Sequence, residues 1–290
     1  MKFAFIDAEK ADWPVSTMCG VLDVSRAGFY AWRERPECER SRRDRALSLR
    51  VEESHLQSKR TYGSPRVYED LKGDGERVGR KRVARLMRQA GLKARVRRRY
   101  RSTTMSEHDQ PIAPNLLDRQ FEAEGPNQRW VGDTTELITG SGKLYLAAIL
   151  DLFSRRVVGW ALGAINDRFL TLRALRMALE QRCPSTGLMH HSDQGCTYAS
   201  EDYRRQLEVN GITCSMSRRG NCYDNAAMES WFSTLKSELG ERFDSHAAAK
   251  RDLFDYIEVF YNQRRRHSTL GYLSPAQYER INGASKETAA

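Results

Sequence analysis

The 290-residue chain contains no Cys-x-x-Cys pair, and its six cysteines (Cys19, Cys38, Cys183, Cys196, Cys214, Cys222) are scattered. Its six histidines do not alternate with cysteine either. Both absences argue against a zinc module, and the thiols read as free, mostly structural groups in a reducing compartment. No apolar run approaches the roughly 18 residues of a membrane span, so no membrane partner is expected. The opening "MKFAFIDAEKADW" is too short of apolar residues for a secretory signal, and acids interrupt it. These absences point to a cytoplasmic protein. Internal repeats and low-complexity tracts are also missing.

What remains, 40% apolar and 30% charged residues, describes a soluble globular chain long enough for two or three domains with a sizeable core. Its net charge of +10 is unevenly spread. Residues 1–105 hold 26 Lys/Arg against 14 Asp/Glu, whereas residues 106–290 hold 22 against 24. A basic first third beside a near-neutral remainder suggests a polyanion-binding module joined to something else. The bland alternative is a solvated, cation-rich surface.

Residues 1–60 read as helices: "TMCGVLDVSRAGFYAWRER" as a helix, a turn and a second helix, then the charged helix "RSRRDRALSLRVEESHL". Residues 61–105 give a clearer pair. Pro65 opens a helix with Val67 and Leu71, glycines at 73 and 75 break it, and a second helix carries Val83, Leu86, Met87 and Ala90 up to Gly91. The other faces of that second helix hold Arg80, Lys81, Arg82, Arg85 and Arg88. A glycine turn followed by a basic helix is the pattern of helix-turn-helix DNA readers, although many small helical pairs are basic. The run "KARVRRRYRS", with Arg97, Arg98 and Arg99, adds a cationic strip suited to a phosphate backbone. Residues 106–125 turn irregular and proline-containing, and read as a linker.

Residues 126–240 change texture. "RWVGDTTELIT", the almost wholly apolar "KLYLAAILDLF" and "RRVVGWALG" read as three strands, the second of them central. Helix and strand then alternate, which argues for a mixed α/β sheet. Residues 241–290 read as a helical extension with Leu253, Ile257, Phe260 and Tyr261 as its packing face.

Three acids stand in unusual positions. Asp133 lies inside the first strand, Asp193 closes the strand "GLMHHSD", and Glu229 sits on a helix beside the apolar stripe Met228, Trp231, Phe232, Leu235, Leu239. Lys236 follows Glu229 on the same flank, two turns or roughly 10 Å along the axis. Singly, each acid reads as a turn former or half of an ion pair. Converging at one sheet edge, they would repel unless a divalent cation neutralised them, and oxygen-only ligands select Mg²⁺ or Mn²⁺. Two such ions suit phosphoryl transfer. His190 and His191, on the strand leading to Asp193, read as packing or hydrogen-bonding groups. Asp151, Asp224 and Asn225 read as structural or supporting residues.

The contexts "VGDTT", "LDLFSRRVVGW", "HSDQG" and "SRRGNCYDNAAMESWFSTLKSEL", with 35 residues between Asp193 and Glu229, resemble insertion-sequence transposases of the IS-three family. The likeness is to their OrfB-type catalytic subunit, in the retroviral-integrase-like superfamily, and it extends to "YNQRRRHSTLGYLSPAQY". It implies an RNase H-like fold behind an all-helical DNA-binding region. It also implies catalytic, metal-binding roles for Asp133, Asp193 and Glu229 with two Mg²⁺, and contact of Lys236 with a DNA end. Water would cleave a strand at an element end, and the freed 3′-hydroxyl would attack a second phosphodiester without a covalent protein–DNA intermediate. The implied partners are terminal inverted repeats, target DNA, other copies of the chain on DNA, and an upstream OrfA product as fusion or partner. Arg264, Arg265 and Arg266 read either as DNA contacts or as cations at a helix end. The alternatives to a transposase are a non-enzymatic DNA-binding regulator and a plain RNase H-type nuclease.

Overall fold

Side-chain caps, prolines and glycines set the helix ends much as the sequence pattern predicts. The computed structural model describes residues 1–95, 111–218 and 222–283, so Arg97, Arg98 and Arg99 lie outside the described residues. Packing divides the chain into two units, Met1–Glu53 and Ser54–Ala290.

In the first unit, α1 (Lys2–Glu9), α2 (Val15–Val21) and α3 (Arg26–Glu34) bury Ile6, Met18, Cys19 and Phe29 together. Ser25 caps α3 by accepting the Gly28 N–H at 3.0 Å. The helix α1 was not expected, because only Ile6 of its residues is buried and its apolar pattern is weak. The division falls inside α4 (Glu39–Gln57).

The second unit opens with the helical pair α5 (Ser64–Gly73) and α6 (Arg80–Gln89). Pro65 starts α5, and Gly75, at φ +85°, makes the turn between them. Val67 and Leu71 pack on Val83, Leu86 and Met87, all buried. This pair belongs to the same compact unit as the sheet.

The sheet order is β3-β2-β1-β4-β5. Strands β1 (Arg129–Thr139), β2 (Gly142–Asp151) and β3 (Val157–Gly163) are antiparallel, whereas β4 (Met189–Ser192) and β5 (Thr213–Met216) run parallel to β1. The central strand is therefore β1, and the apolar β2 lies one place toward the edge. Its run of apolar residues reflects burial on both faces. Between β3 and β4, α7 (Arg168–Arg182) crosses over the sheet. Gly159 of β3 lets it approach, since a Cβ there would meet the Ala174 carbonyl at 2.3 Å. The short α8 (Cys196–Ala199) and α9 (Glu201–Val209) connect β4 to β5.

The edges of the sheet are covered. Asn262 imitates a neighbouring strand on β3, accepting the Val157 N–H at 3.0 Å and donating to its carbonyl at 2.9 Å. On β5, Ser215 Oγ accepts the N–H groups of Leu116 and Leu117. The segment expected to be a linker is thus partly built into the core, with Leu117 buried.

The C-terminal part begins with α10 (Ala226–Glu238), which packs on β1, followed by β6 (Arg242–Phe243), which pairs with the far end of β1. In α11 (His246–Phe254) and the π-helical continuation Asp255–Tyr261, wider turns gather Leu253, Tyr256, Ile257, Phe260 and Tyr261 on the buried side. A capping box of Ser274 and Gln277 opens α12 (Pro275–Asn282). Arg182 ties α12 to the sheet by reaching both Glu279 and the buried Asp151.

The arginine run after Tyr261 is split by this packing. Arg264 is exposed, but Arg265 is only 4% exposed and grips the buried Glu238 of α10 at 2.6 and 2.8 Å. Tyr256 adds a hydroxyl to the same carboxylate at 2.8 Å. Arg266 is ion-paired with Asp70 of α5, and its N–H meets the Tyr62 hydroxyl. Arg265 and Arg266 therefore each have a carboxylate partner within the protein, Glu238 and Asp70. Removing one partner of a buried pair leaves the other uncompensated. Arg265→Ala should thus lower unfolding stability by about 3–5 kcal/mol in urea denaturation, while Arg264→Ala should leave the midpoint in place.

Candidate active site

Strand pairing brings the two aspartates near each other. Between the parallel strands β1 and β4, Arg129 pairs with Met189, Trp130 with His190 and Val131 with His191. Asp193 follows one residue after the end of β4, near enough for its charge to act on Asp133. Trp130, three residues before Asp133 and so on the opposite face, packs in the apolar cluster under α7. The chain turns just past Asp193, whose Oδ1 accepts the Gly195 N–H at 2.9 Å. Any Cβ at residue 195 would lie 2.9 Å from that oxygen, so glycine keeps the turn tight.

Glu229 enters from α10. It lies in the first turn, where the helix end favours a negative charge, and is half-buried. Two residues before α10 begins, the buried Asp224 accepts from Asn115 Nδ2, Arg119 Nε and the backbone and guanidinium of Arg218. Next to it, Asn225 Nδ2 donates to Asp133 Oδ2 at 3.0 Å, stitching the start of α10 to β1. The apolar stripe Met228, Trp231, Phe232 and Leu235 is buried, which fixes the face that Glu229 and Lys236 present. Lys236 is half-buried on the same helix.

The carboxylates feel one another. Burial pushes Asp133 well above the ordinary carboxylate range; Asp193 and then Glu229 push it further, against the Thr134 N–H on its Oδ1. Glu229 is raised by burial alone. Among the described residues, no three His, Cys, Asp or Glu side chains are gathered closely enough to hold an ion as they stand. The donor set still fits a hard divalent cation: it offers oxygen only, and like charges crowd at Asp133.

Patterns found in known proteins match most of this architecture. An integrase core domain pattern covers residues 123–222, a second integrase core domain pattern covers 210–275, and an HTH-like domain pattern covers 41–100. The 31 kDa protein of insertion element IS600 from Shigella sonnei is 44% identical over 263 residues, 90% of this chain and 97% of that protein. Transposase InsF for insertion sequence IS3A of Escherichia coli strain K12 is 40% identical over 287 residues, 97% of this chain and 99% of that one. The chain belongs to the IS3 family of transposases. It is accordingly a DNA transposase, an enzyme of the polynucleotidyl transferase class, with a helical HTH-like region ahead of an integrase-like mixed sheet. A solved simian T-cell lymphotropic virus intasome, bound to a PP2A regulatory subunit, overlaps 78% of this chain at 15% identity with a TM-score of 0.47, too loose a likeness to argue from.

In this transposase the expected cationic residues have separate fates. Lys81 and Arg88 are exposed on α6, while Arg82 and Arg85 are half-buried. Arg80, although exposed, is paired with Glu69 at 3.2 Å and lies over the Tyr68 ring. The histidines beside Asp193 are core groups, as their apolar strand suggested. His190 is fully buried against the Tyr203 hydroxyl, and His191 spans Ser215 and Ser217. The roles of Asn115, Arg119 and Arg218 in clamping Asp224 had no local signal, because their partner is over 100 residues away for two of them.

Burial holds His190 down at about 3 and His191 at about 4. The unfolded imidazoles take protons below about 6.5, protons that the folded chain refuses. The stability they contribute is therefore complete above pH 6.5 and lost as pH falls toward 4. His191→Asn should flatten the acid limb of the stability–pH curve relative to wild type; an equally steep limb in thermal melts would contradict the neutral, buried assignment.

Proposed function

We propose that Asp133, Asp193 and Glu229 are the catalytic carboxylates of this transposase and hold Mg²⁺ or Mn²⁺, two ions in all, at the ends of an insertion sequence. The observation that supports this reading is the pairing of β1 with β4, whose continuations carry Asp133 and Asp193, together with the charge of Asp193 acting on Asp133. The Asn225 stitch brings the helix of the third to them. The chemistry such ions supply when bound is activation of the attacking oxygen and neutralisation of charge on the leaving one.

The chain's own residues do the rest. Asp133 and Asp193 present oxygens from a rigid sheet, and Glu229 presents one from a helix fixed by its apolar stripe, an arrangement that preorganises the donors. Lys236, two turns beyond Glu229, would bind a phosphate of the DNA end. In the first step water attacks a phosphodiester at the element end, the bond to the 3′-oxygen breaks, and a 3′-hydroxyl is freed. In the second, that hydroxyl attacks another phosphodiester; one P–O bond forms as another breaks, and a new 3′-hydroxyl leaves. No protein side chain becomes linked to DNA.

Recognition of terminal inverted repeats and target DNA is assigned to the basic helical pair, through Lys81, Arg82, Arg85 and Arg88, with Arg80 partly committed to Glu69. Arg97, Arg98, Arg99 and Arg264 complete the proposed phosphate contacts. No helix among the described residues is long and apolar enough to cross a membrane, and we place the reaction in the cytoplasm. The working form is an oligomer on DNA, fused to or joined by an upstream OrfA product.

Incubation with terminal-repeat DNA and Mg²⁺ separates the readings: joined strands support transposition, nicks alone a nuclease, and shifted but intact DNA a regulator. Glu229→Gln should abolish cleavage and joining while leaving DNA affinity largely intact; loss of binding in a folded variant would count against the site. Arg82→Ala and Arg85→Ala should each weaken binding and reduce the slope of log affinity against log salt by about 1. An unchanged slope in both would remove α6 from the interface.

A further inference from the structure

The residue that begins α10 departs from ordinary helix chemistry. Asparagine is a favoured N-cap because its side-chain oxygen accepts an N–H of the first turn. Asn225 occupies that position and makes no such bond. Its amide is turned to β1, where Nδ2 donates to Asp133 Oδ2 at 3.0 Å. The other end is left over: Asn225 is 5% exposed, and its Oδ1 has no hydrogen-bond partner among the described residues.

One side chain thus forgoes a helix cap and also buries an unpaired carbonyl, in direct contact with an acid of the site. Its position is well determined, because the neighbouring Asp224 is held by Asn115, Arg119 and Arg218. Local rules broken at a rigid position beside charged groups mark a place where a ligand completes the set. A carbonyl oxygen is a hard donor of the kind that Mg²⁺ and Mn²⁺ accept. Together with Thr134, whose N–H holds Oδ1 at 2.7 Å, Asn225 restrains both oxygens of the Asp133 carboxylate.

We propose that Asn225 is a positioning residue for the acidic triad: its N–H orients the Asp133 carboxylate for a divalent cation, and its unpaired Oδ1 joins the oxygens offered to that cation. This rests on the reading of the three acids as cation ligands. The role differs from a helix cap, which would stabilise α10 and leave cation affinity alone.

The test uses the full chain without DNA, with free Mn²⁺ followed by electron paramagnetic resonance and folding followed by thermal melts. Asn225→Ser keeps a good cap residue but is too short to reach Asp133, so its melting temperature should hold or rise. Its Mn²⁺ dissociation constant should increase about 10–100-fold, the usual effect of removing a group that orients a metal ligand. Cleavage of terminal-repeat DNA should fall and recover in excess Mn²⁺, with DNA affinity in chelator unchanged. Wild-type Mn²⁺ affinity in the folded serine variant would overturn the proposal. Asp133→Asn separates the layers: weakened binding there with none in Asn225→Ser removes only the role of Asn225, whereas no change in either variant removes the triad as a cation site. Should the serine variant not fold, the Asn225 side-chain amide resonance of ¹⁵N-labelled wild type must shift on Mg²⁺ addition, and an unmoved resonance overturns the proposal.

Discussion

Asp133 on β1 and Asp193 just past the end of β4 are like charges that act on each other, and much of the second unit is organised around holding them there. The backbone ladder between β1 and β4 withstands this because it is not isolated: β2 pairs along the whole length of β1, and β5 pairs along β4. Burial first, and the charge of Asp193 next, make Asp133 hold its proton well above the ordinary range.

The third acid depends on a different kind of support. A helix carrying Glu229 could slide or rotate on the sheet if only apolar contacts held it. Polar anchors at both ends prevent this. At the start of α10, Asp224 is immobilised by three side chains and Asn225 reaches Asp133. At its end, Glu238 is gripped by Arg265 and Tyr256, and Arg66 of α5 approaches the same carboxylate at 3.6 Å. The helical pair, the C-terminal extension and α10 therefore share one buried charge cluster. Buried pairs are weak evidence for stability but good devices for fixing geometry, and geometry is what a phosphoryl-transfer site needs.

Residue patterns made most of the secondary structure legible. Strands β1 to β3 followed from their apolar texture, and α5 and α6 from proline, glycine and helical spacing. The acids Asp133, Asp193 and Glu229 stood out by their contexts and by the 35-residue gap between the last two. Features decided by partners far away were illegible: α1, the pairing of β6 with β1, the π-helical turns near Tyr256, and the burial of Arg265. The arginine run at 264–266 shows why. Three adjacent residues of one type have opposite fates, because the turn and irregular chain after Tyr261 send each to a different neighbour, and nothing local names Glu238 or Asp70 as those neighbours.

Local sequence by itself determined where elements begin and end, which faces are apolar, and which side chains have the chemistry for phosphodiester bonds, since these depend on spacing and residue type. Only the tertiary structure decided that Asp133 feels the charge of Asp193, that Asn225 turns its amide to a carboxylate, and that Arg265 is a bolt inside the protein. Those facts depend on which distant groups meet in three dimensions, where burial makes each unpaired charge or donor too unfavourable to leave alone.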